Sequence, residues 1–239
     1  MKASLSMPRR GCEAVEPLVY IVDDDPGMND ALADLLGSVG MRCRSFLSAD
    51  SFLAAPVDDA PGCVVLDVRL RGNNGLEVQR EMKRRCVDLP VVFITGHGDI
   101  EMTVRAMKDG AVDFLAKPFR DQDFIDAVTQ ALAVDRCKRQ ALRCGDDLRA
   151  RFATLSERER EVMMLASSGL MNKQIAGKIG ISEVTVKIHR RRAMRKMGAR
   201  TFADLVKMTL ELDLSPHRST PAPPLRNDLE AVAQLMASY

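Results

Sequence analysis

Short apolar runs alternate with segments of helical period between residues 18 and 134. The pattern predicts five strands, at residues 18–22, 41–46, 63–66, 90–94 and 111–115. The runs at 63–66 and 90–94 are dense in β-branched and aromatic residues, as is typical of strands buried on both faces. Helical spacing follows at 31–39, 75–86, 103–108 and 124–132. This alternation predicts a doubly wound, five-stranded parallel sheet of the flavodoxin-like class.

The second half of the chain has helical periodicity only. Gly169, Gly180 and Gly198 interrupt the pattern of residues 153–212, which predicts an all-α unit of four short helices. A tight turn at Gly180 between two of these helices is typical of a helix-turn-helix motif, whose second helix enters the major groove of DNA. We therefore expect an N-terminal extension at 1–16, an α/β domain at 17–134, a linker at 135–152, a helix-turn-helix domain at 153–213 and a mostly disordered tail at 214–239, with a short helix at 225–236.

Charge separates the two halves of the chain. The formal net charge is only +2, but residues 1–130 carry 15 Lys and Arg against 21 Asp and Glu, whereas residues 131–239 carry 20 against 12. The basic half therefore favours a polyanionic partner. The six cysteines form no CxxC pair, which indicates reduced thiols in a cytoplasmic protein. There is no apolar run of membrane-spanning length and no signal-peptide pattern.

Polar residues follow the predicted strands at the ends where open α/β sheets bind their ligands. Asp23-Asp24-Asp25 follows the first strand, Asp67 the third, Thr95 the fourth and Lys117-Pro118 the fifth. One such aspartate is commonly a helix N-cap, but four polar positions on four strands are hard to explain in that way. Crowded carboxylates need a cation, and their oxygens suit Mg²⁺. The set predicts phosphoryl-transfer chemistry with a carboxylate as nucleophile.

The second helix of the helix-turn-helix motif, residues 183–197, has two different faces. At about 100° per residue, Val186, Ala193 and Met197 fall on the side that should pack inwards. The opposite side carries Val184, Lys187, Ile188, Arg191 and Arg195, with Arg192 beside it. Basic side chains bind guanine edges and phosphates, and isoleucine contacts thymine methyl groups. This side predicts a DNA-binding surface, with a merely solvated charged face as the alternative.

Four segments of the first half stand in a characteristic order and spacing: LVYIVDDDP (18–26), VVLDVRLRGNNG (64–75), VVFITGHGD (91–99) and VDFLAKPF (112–119). On these segments, residues 18–134 resemble the receiver domain of two-component response regulators, and TGHGD is similar to the FixJ-type subgroup. The resemblance implies that Asp67 accepts a phosphoryl group from a sensor histidine kinase. Leu70-Arg71 stands where the family usually has Met-Pro, which changes the rigidity of the loop but leaves the pocket residues intact.

The resemblance also implies a role for each pocket residue. The Mg²⁺ ligands would be Asp23, Asp24, Asp67 and the backbone carbonyl of Arg69. Thr95 and Lys117 would each contact a phosphoryl oxygen, and the Lys117–Pro118 peptide bond would be cis. Phe114 stands at the position of the family's aromatic switch residue.

The segment LSEREREVMMLASSGLMNKQIAGKIGISEVTVKIHRRRAMRKMGARTFADLV (155–206) resembles the LuxR-type DNA-binding domain. The resemblance implies that Lys187, Ile188 and Arg191 face bases. The implied contacts to the DNA backbone come from Asn172, Lys173, Thr185 and Arg190. The last helix, at about residues 201–212, is a dimerisation surface in many members of that family.

The two resemblances together identify a response regulator of the NarL/FixJ type. The expected function is a phosphorylation-dependent DNA-binding transcriptional regulator, an activator by its FixJ-like motifs, without enzymatic activity beyond phospho-acceptor and autodephosphorylation chemistry at Asp67. The implied partners are a sensor histidine kinase, double-stranded promoter DNA, RNA polymerase and, on phosphorylation, a second copy of the chain.

Two other functions stay open at this point. The first is a DNA-binding regulator that does not depend on phosphorylation. The second is a Mg²⁺-dependent phosphatase of the haloacid-dehalogenase type with an aspartate nucleophile. Such a phosphatase needs a second aspartate two residues after the nucleophile, and this chain has Arg69 at that position.

Overall fold

The computed structural model describes residues 16–96 and 100–212. Most of the predicted N-terminal extension, three residues of the TGHGD motif and the predicted tail with its short helix lie outside the described residues. The chain divides between Ala141 and Leu142 into two compact units, an α/β unit and a helical unit. This division falls inside the predicted linker, and each unit has its own core.

The α/β unit is built on a parallel sheet of five strands. The described residues of this unit contain seven strands, five in this sheet and two in a hairpin. In chain order they are β1 (Leu18–Val22), β2 (Arg42–Phe46), β3 (Gly62–Asp67), β4 (Arg69–Leu70), β5 (Asn73–Asn74), β6 (Val91–Thr95) and β7 (Asp113–Ala116). The sheet has the order β2-β1-β3-β6-β7, and β4 and β5 form a separate antiparallel hairpin. The predicted flavodoxin-like class is confirmed, because the chain reverses its direction of winding between β1 and β3.

Helices cover both faces of this sheet. They are α1 (Pro26–Ser38), α2 (Ala49–Ala54), α3 (Gly75–Arg84), α4 (Ile100–Lys108) and α5 (Asp121–Ala153). Alternate residues of each strand point to opposite faces. Tyr20 and Phe93 therefore pack with α2 to α4, whereas Ile21 and Ile94 pack with α1 and α5. Burial on both faces explains why the central strands are almost entirely apolar.

Three local elements differ from the sequence prediction, and the first is the β4–β5 hairpin, which was not predicted. The six-residue helix α2 was not predicted, because it is too short to show a helical period; it begins at the N-cap Ser48, whose side chain accepts a hydrogen bond from the Ser51 backbone. Residues 135–152 are the continuation of α5 and thus helical throughout. Among the residues that the structure describes, no helix, α5 included, is both long and apolar enough to cross a membrane.

The helical unit contains α6 (Glu157–Ser167), α7 (Asn172–Ile179), α8 (Glu183–Met197) and α9 (Phe202–Glu211). The last residues of α5 also pack into its core, where Leu148 belongs to the same apolar cluster as Met163 and Met197. Gly180 ends α7 in the left-handed conformation, with φ at 69°, which permits the tight turn before α8. The predicted four-helix unit with a helix-turn-helix motif is therefore confirmed.

Gly75 provides a test of the packing at the carboxyl end of β3. A Cβ atom at residue 75 would lie 2.5 Å from the backbone oxygen of Asp67, so the backbone would have to move. We expect Gly75→Ala to lower the free energy of unfolding of the α/β unit by about 1–3 kcal/mol. Urea unfolding followed by circular dichroism measures this loss.

Gly37→Ala is the matched control. Gly37 lies in α1, and a Cβ atom there would meet nothing within 4 Å. Alanine is the better helix former, so this variant should equal the wild type or gain up to about 1 kcal/mol. Equal stability of both variants would contradict the close packing at Gly75.

Candidate functional sites

The sheet register brings two aspartates together at the reversal point between β1 and β3. Val22 pairs with Leu66 in the parallel ladder, so Asp23 and Asp67 occupy equivalent positions on neighbouring strands. Both carboxylates are buried, with 1% and 7% of their residue surfaces exposed. Burial of two adjacent carboxylates is costly unless a cation or hydrogen-bond donors accompany them.

Lys117 supplies one such cation. It follows β7, and its Nζ donates to Asp23 Oδ2 at 2.7 Å and to Asp67 Oδ2 at 2.8 Å. Burial alone would lower the pKa of Lys117, but the hydrogen bonds and the negative charges of the two carboxylates together outweigh burial and raise it. Lys117 is therefore a permanently charged bridge between β1, β3 and β7.

Lys117 does not fully compensate the cost of burying the ionised Asp67 carboxylate. Its Oδ1 accepts a hydrogen bond of 2.9 Å from the Arg69 backbone N–H. Burial raises the pKa of Asp67 above its ordinary value, and the neighbouring Asp23 charge adds to this, although Lys117 and the Arg69 N–H act in the opposite direction. A further cation would favour the ionised form.

Asp23, Asp24 and Asp67 form the group of carboxylates in the described residues that is suited to hold such a cation. One carboxylate oxygen from each lies within 4.8 Å of those of the other two. Three carboxylates supply oxygen ligands and negative charge, and both suit Mg²⁺. Soft ligands such as thiolates would instead select zinc or copper. We refer to Asp23, Asp24, Asp67 and Lys117 as the carboxylate pocket.

The other predicted residues of this site lie around the carboxylate pocket. Thr95 is fully buried, and its backbone oxygen accepts a hydrogen bond from Lys117 N at 2.7 Å. The Lys117–Pro118 bond is cis, as the resemblance implies. Phe114 lies on β7, three residues before Lys117, and is half-buried, with its ring centroid 6.3 Å from that of Phe93. The roles assigned to these residues stay predictions.

Two contacts of the carboxylate pocket were not predicted from the sequence. Asn29 of α1 is buried, and its Nδ2 donates to the backbone oxygen of Asp23 at 2.8 Å, which holds the β1–α1 turn. Arg71 lies 3.0 Å from Asp24, measured from Nε to Oδ2. The departure at Leu70-Arg71 marked the position of Arg71, but its partner depends on how the β4–β5 hairpin folds; no signal marked Asn29.

The predicted DNA-binding side of α8 is exposed in the helical unit. Val186, Ala193 and Met197 are fully buried, as the helical period predicts. The exposed residues on the outer side are Val184, Lys187, Ile188, Arg191, Arg192 and Arg195. Lys187, Arg191 and Arg195 also line a shallow groove that reaches Asn172 on α7. We call the exposed residues Lys187, Ile188, Arg191, Arg192 and Arg195 the α8 surface.

Three of the predicted contacts to the DNA backbone also have structural roles. Arg190 stacks over the Phe202 ring at 4.2 Å and donates to Asn172 Oδ1 at 3.2 Å, so this arginine joins α7, α8 and α9. Thr185 shares a hydrogen bond of 2.8 Å with the N-cap Ser182 at the start of α8. Lys173 is exposed on α7. Their DNA contacts stay predictions.

Comparison with known proteins gives the same division of the chain. Residues 19–129 match the family described as the response regulator receiver domain, and residues 153–209 match the bacterial regulatory proteins of the luxR family. Nodulation protein W of Bradyrhizobium diazoefficiens is 50% identical over 84% of this chain and 89% of its own length. The transcriptional regulatory protein FixJ of Azorhizobium caulinodans is 40% identical over 83% of this chain and 94% of its own.

A solved structure is similar over the same extent. The response regulator StyR superposes with a TM-score of 0.74 at 45% identity, and the match covers 82% of this chain and 99% of that of StyR.

The raised pKa of Asp67 predicts a pH-dependent cost to stability. Where the folded pKa exceeds the unfolded one, stability is greatest below the unfolded pKa and is lost as pH rises through the folded pKa. In a chelator, Asp67→Asn should therefore raise the urea midpoint of the α/β unit at pH 7. The gain should shrink as pH falls towards about 3.9, the ordinary value for aspartate.

Urea titrations between pH 4 and 8 measure this difference. Asp34→Asn, which removes a carboxylate from the exposed side of α1, is the control for general charge effects. A lower midpoint for Asp67→Asn than for the wild type at pH 7 would mean that ionised Asp67 stabilises the fold, contrary to this prediction.

Proposed function

The chain belongs to the NarL/FixJ family of response regulators, and we propose that it is a transcriptional regulator whose DNA binding is controlled by phosphorylation of Asp67. The α/β unit is its receiver domain and the helical unit its LuxR-type DNA-binding domain. The observation that carries the assignment of Asp67 is its position: it shares Lys117 with Asp23 and lies beside Asp24 at the reversal point of the sheet.

Asp67 is suited to act as a nucleophile towards a phosphohistidine of a sensor kinase. In that reaction a carboxylate oxygen of Asp67 forms a bond to phosphorus, while the bond from phosphorus to the histidine nitrogen breaks. The nucleophile must be ionised, and Lys117 together with the Arg69 N–H favours that form. No second aspartate stands two residues later to act as the acid of a phosphatase, because that residue is Arg69.

Mg²⁺ is the metal that we assign to the carboxylate pocket. Its ligands would be the carboxylates of Asp23, Asp24 and Asp67 and the backbone carbonyl of Arg69. The ion would supply positive charge against the phosphoryl oxygens. Lys117 is already placed within hydrogen-bond distance of Asp67, so it can pair with a second phosphoryl oxygen without a large movement.

Phosphorylation adds negative charge and acceptor oxygens to the carboxylate pocket. The two basic side chains at this pocket, Lys117 and Arg71, are already paired with its carboxylates. We infer that Thr95 and Lys117 move towards the phosphoryl group and that Phe114 changes its packing on β7. A ligand or modification shifts a two-state equilibrium only by its difference in affinity for the two states. The receiver would then favour the form that releases the DNA-binding domain or pairs with a second copy.

The α8 surface is the proposed reader of DNA. Lys187, Ile188 and Arg191 are exposed and would meet base edges, and the exposed Lys173, Arg192 and Arg195 would bind phosphates. Lys187 would have to leave its exposed ion pair with Glu183, in which the two charges lie 3.4 Å apart. The target is double-stranded promoter DNA with two-fold half-sites. We further propose that the bound protein acts with RNA polymerase as an activator, in the cytoplasm where both are found.

Activation of the receiver should increase DNA affinity. Beryllofluoride or acetyl phosphate with Mg²⁺ should tighten the binding of wild-type protein to DNA selected from a random pool by about fivefold or more, the usual range of coupling between sites. Asp67→Asn should bind with the unactivated affinity in both conditions. Fluorescence anisotropy at one stated salt concentration measures both proteins.

An equal response of the two proteins, or none, would leave the phosphorylation-independent regulator as the better description. Steady-state turnover of small phosphoesters by the wild type would instead support the phosphatase.

Base-reading and phosphate-binding residues of the DNA-binding domain should differ in their effects. Arg191→Ala should cost about 1–3 kcal/mol on the selected site and reduce discrimination against altered sites. Lys173→Ala should weaken binding to all sequences alike and lower the salt slope by about one. Arg158→Ala, which removes an exposed charge from α6, is the control. Uniform weakening by Arg191→Ala would contradict its assignment to bases.

A further inference from the structure

Arg71 is held at the opening of the carboxylate pocket by the β4–β5 hairpin. Leu70 pairs with Asn73, so Arg71 and Gly72 form the two-residue turn between the strands. Gly72 has a φ of 82°, a conformation that glycine adopts without strain. Leu70 is buried in the core beside the turn. These constraints fix the backbone of Arg71, and its side chain extends to Asp24 between β1 and α1.

The three carboxylates of the pocket are shared between two basic side chains. Lys117 Nζ contacts Asp23 and Asp67 at 2.7 and 2.8 Å, and Arg71 Nε contacts Asp24 Oδ2 at 3.0 Å. The two cations differ in their surroundings, because the Lys117 side chain is 19% exposed and that of Arg71 is 88% exposed. An exposed arginine can leave its partner at little cost, whereas Lys117 cannot leave two buried carboxylates.

We propose that Arg71 is a resident counterion which a divalent cation must displace from Asp24, and that this residue thereby lowers the affinity of the pocket for Mg²⁺. The inference rests on the proposed function, because it takes Asp23, Asp24 and Asp67 as the metal ligands. Two effects act in the same direction. The guanidinium occupies an oxygen of Asp24 that the metal needs, and its positive charge repels a dication held a few ångströms away.

The same contact has the opposite effect when no divalent cation is bound. Arg71 then reduces the repulsion among Asp23, Asp24 and Asp67, so its removal should destabilise the metal-free receiver domain. At saturating Mg²⁺ the metal takes over this role, and the variant and the wild type should have equal thermal midpoints. The stabilisation gained from Mg²⁺ is therefore larger without Arg71, as expected for a ligand that binds the folded state more tightly.

The test compares the full chain with three variants. Isothermal titration calorimetry gives the dissociation constant of Mg²⁺ at fixed ionic strength, and thermal unfolding in chelator and in saturating Mg²⁺ gives the two midpoints. Arg71→Gln should tighten Mg²⁺ binding by about three- to tenfold, the range that a partly screened charge at this distance allows. It should also lower the midpoint in chelator.

Arg120→Gln is the matched control. Arg120 belongs to the same domain and is 85% exposed, but its ion pair is with Asp123 rather than with a pocket carboxylate. It should bind Mg²⁺ within twofold of the wild type. Asp24→Asn should abolish or strongly weaken binding, which identifies the measured heat with this pocket.

The outcomes distinguish a failure of the role of Arg71 from a failure of the metal site itself. Binding to the wild type that is lost in Asp24→Asn but unchanged or weakened in Arg71→Gln overturns the role of Arg71 and leaves the metal site standing. Equal tightening in Arg71→Gln and Arg120→Gln also overturns it, because any surface charge would then have the same effect. Absence of Mg²⁺ binding in every protein, wild type included, overturns the metal site and the role of Arg71 together.

Discussion

The bridge from Lys117 to Asp23 and Asp67 is the interaction on which the carboxyl edge of the sheet depends. It joins three strands that are not all neighbours, because β1 and β3 adjoin each other whereas β7 lies at the edge beyond β6. Without it, two buried carboxylates would lie side by side with no cation inside the pocket. Removal of the lysine would leave both carboxylates buried without their cation, which typically costs about 3–5 kcal/mol, so Lys117 has a structural role.

The charge balance around this bridge bears on the proposed binding of a metal ion. One lysine cannot neutralise three carboxylates, and burial therefore holds the pKa of Asp67 above its ordinary value. The raised pKa means that ionised Asp67 carries an electrostatic cost in the folded receiver domain, which the proposed metal ion would reduce. Lys117 donates a hydrogen bond to Asp67 and directly follows β7, which is the structural basis for the proposed coupling between the charge at Asp67 and β7.

Most of the fold could be predicted from the sequence because its signals are local. The apolar runs at β1, β3 and β6 are buried on both faces, and the turn glycine at residue 180 leaves the helix in the left-handed conformation. Helix α2 has only six residues, too few to show a period. The extent of α5 was missed because charged, helix-forming residues have the same composition in a linker and in an exposed helix.

In the candidate site, too, some residues could be predicted from local sequence signals and others depend on tertiary packing. The strand ends predicted Asp23, Asp67, Thr95 and Lys117, since parallel strands present their carboxyl ends at one edge. The partners of Asn29 and Arg71 could not be predicted, because they depend on the packing of α1 and on the turn between β4 and β5.

Arg190 shows the limit of assigning a role from a family resemblance. Its position on α8 suggests a phosphate contact, but the ring of Phe202 and the amide of Asn172 already hold its guanidinium. These contacts are the ones that set α8 against α7 and α9. A substitution at Arg190 would therefore change DNA binding through the orientation of the α8 surface even if no phosphate were touched. Loss of binding in such a variant is thus weak support for a direct contact, whereas loss at the exposed and weakly packed Arg191 is strong support.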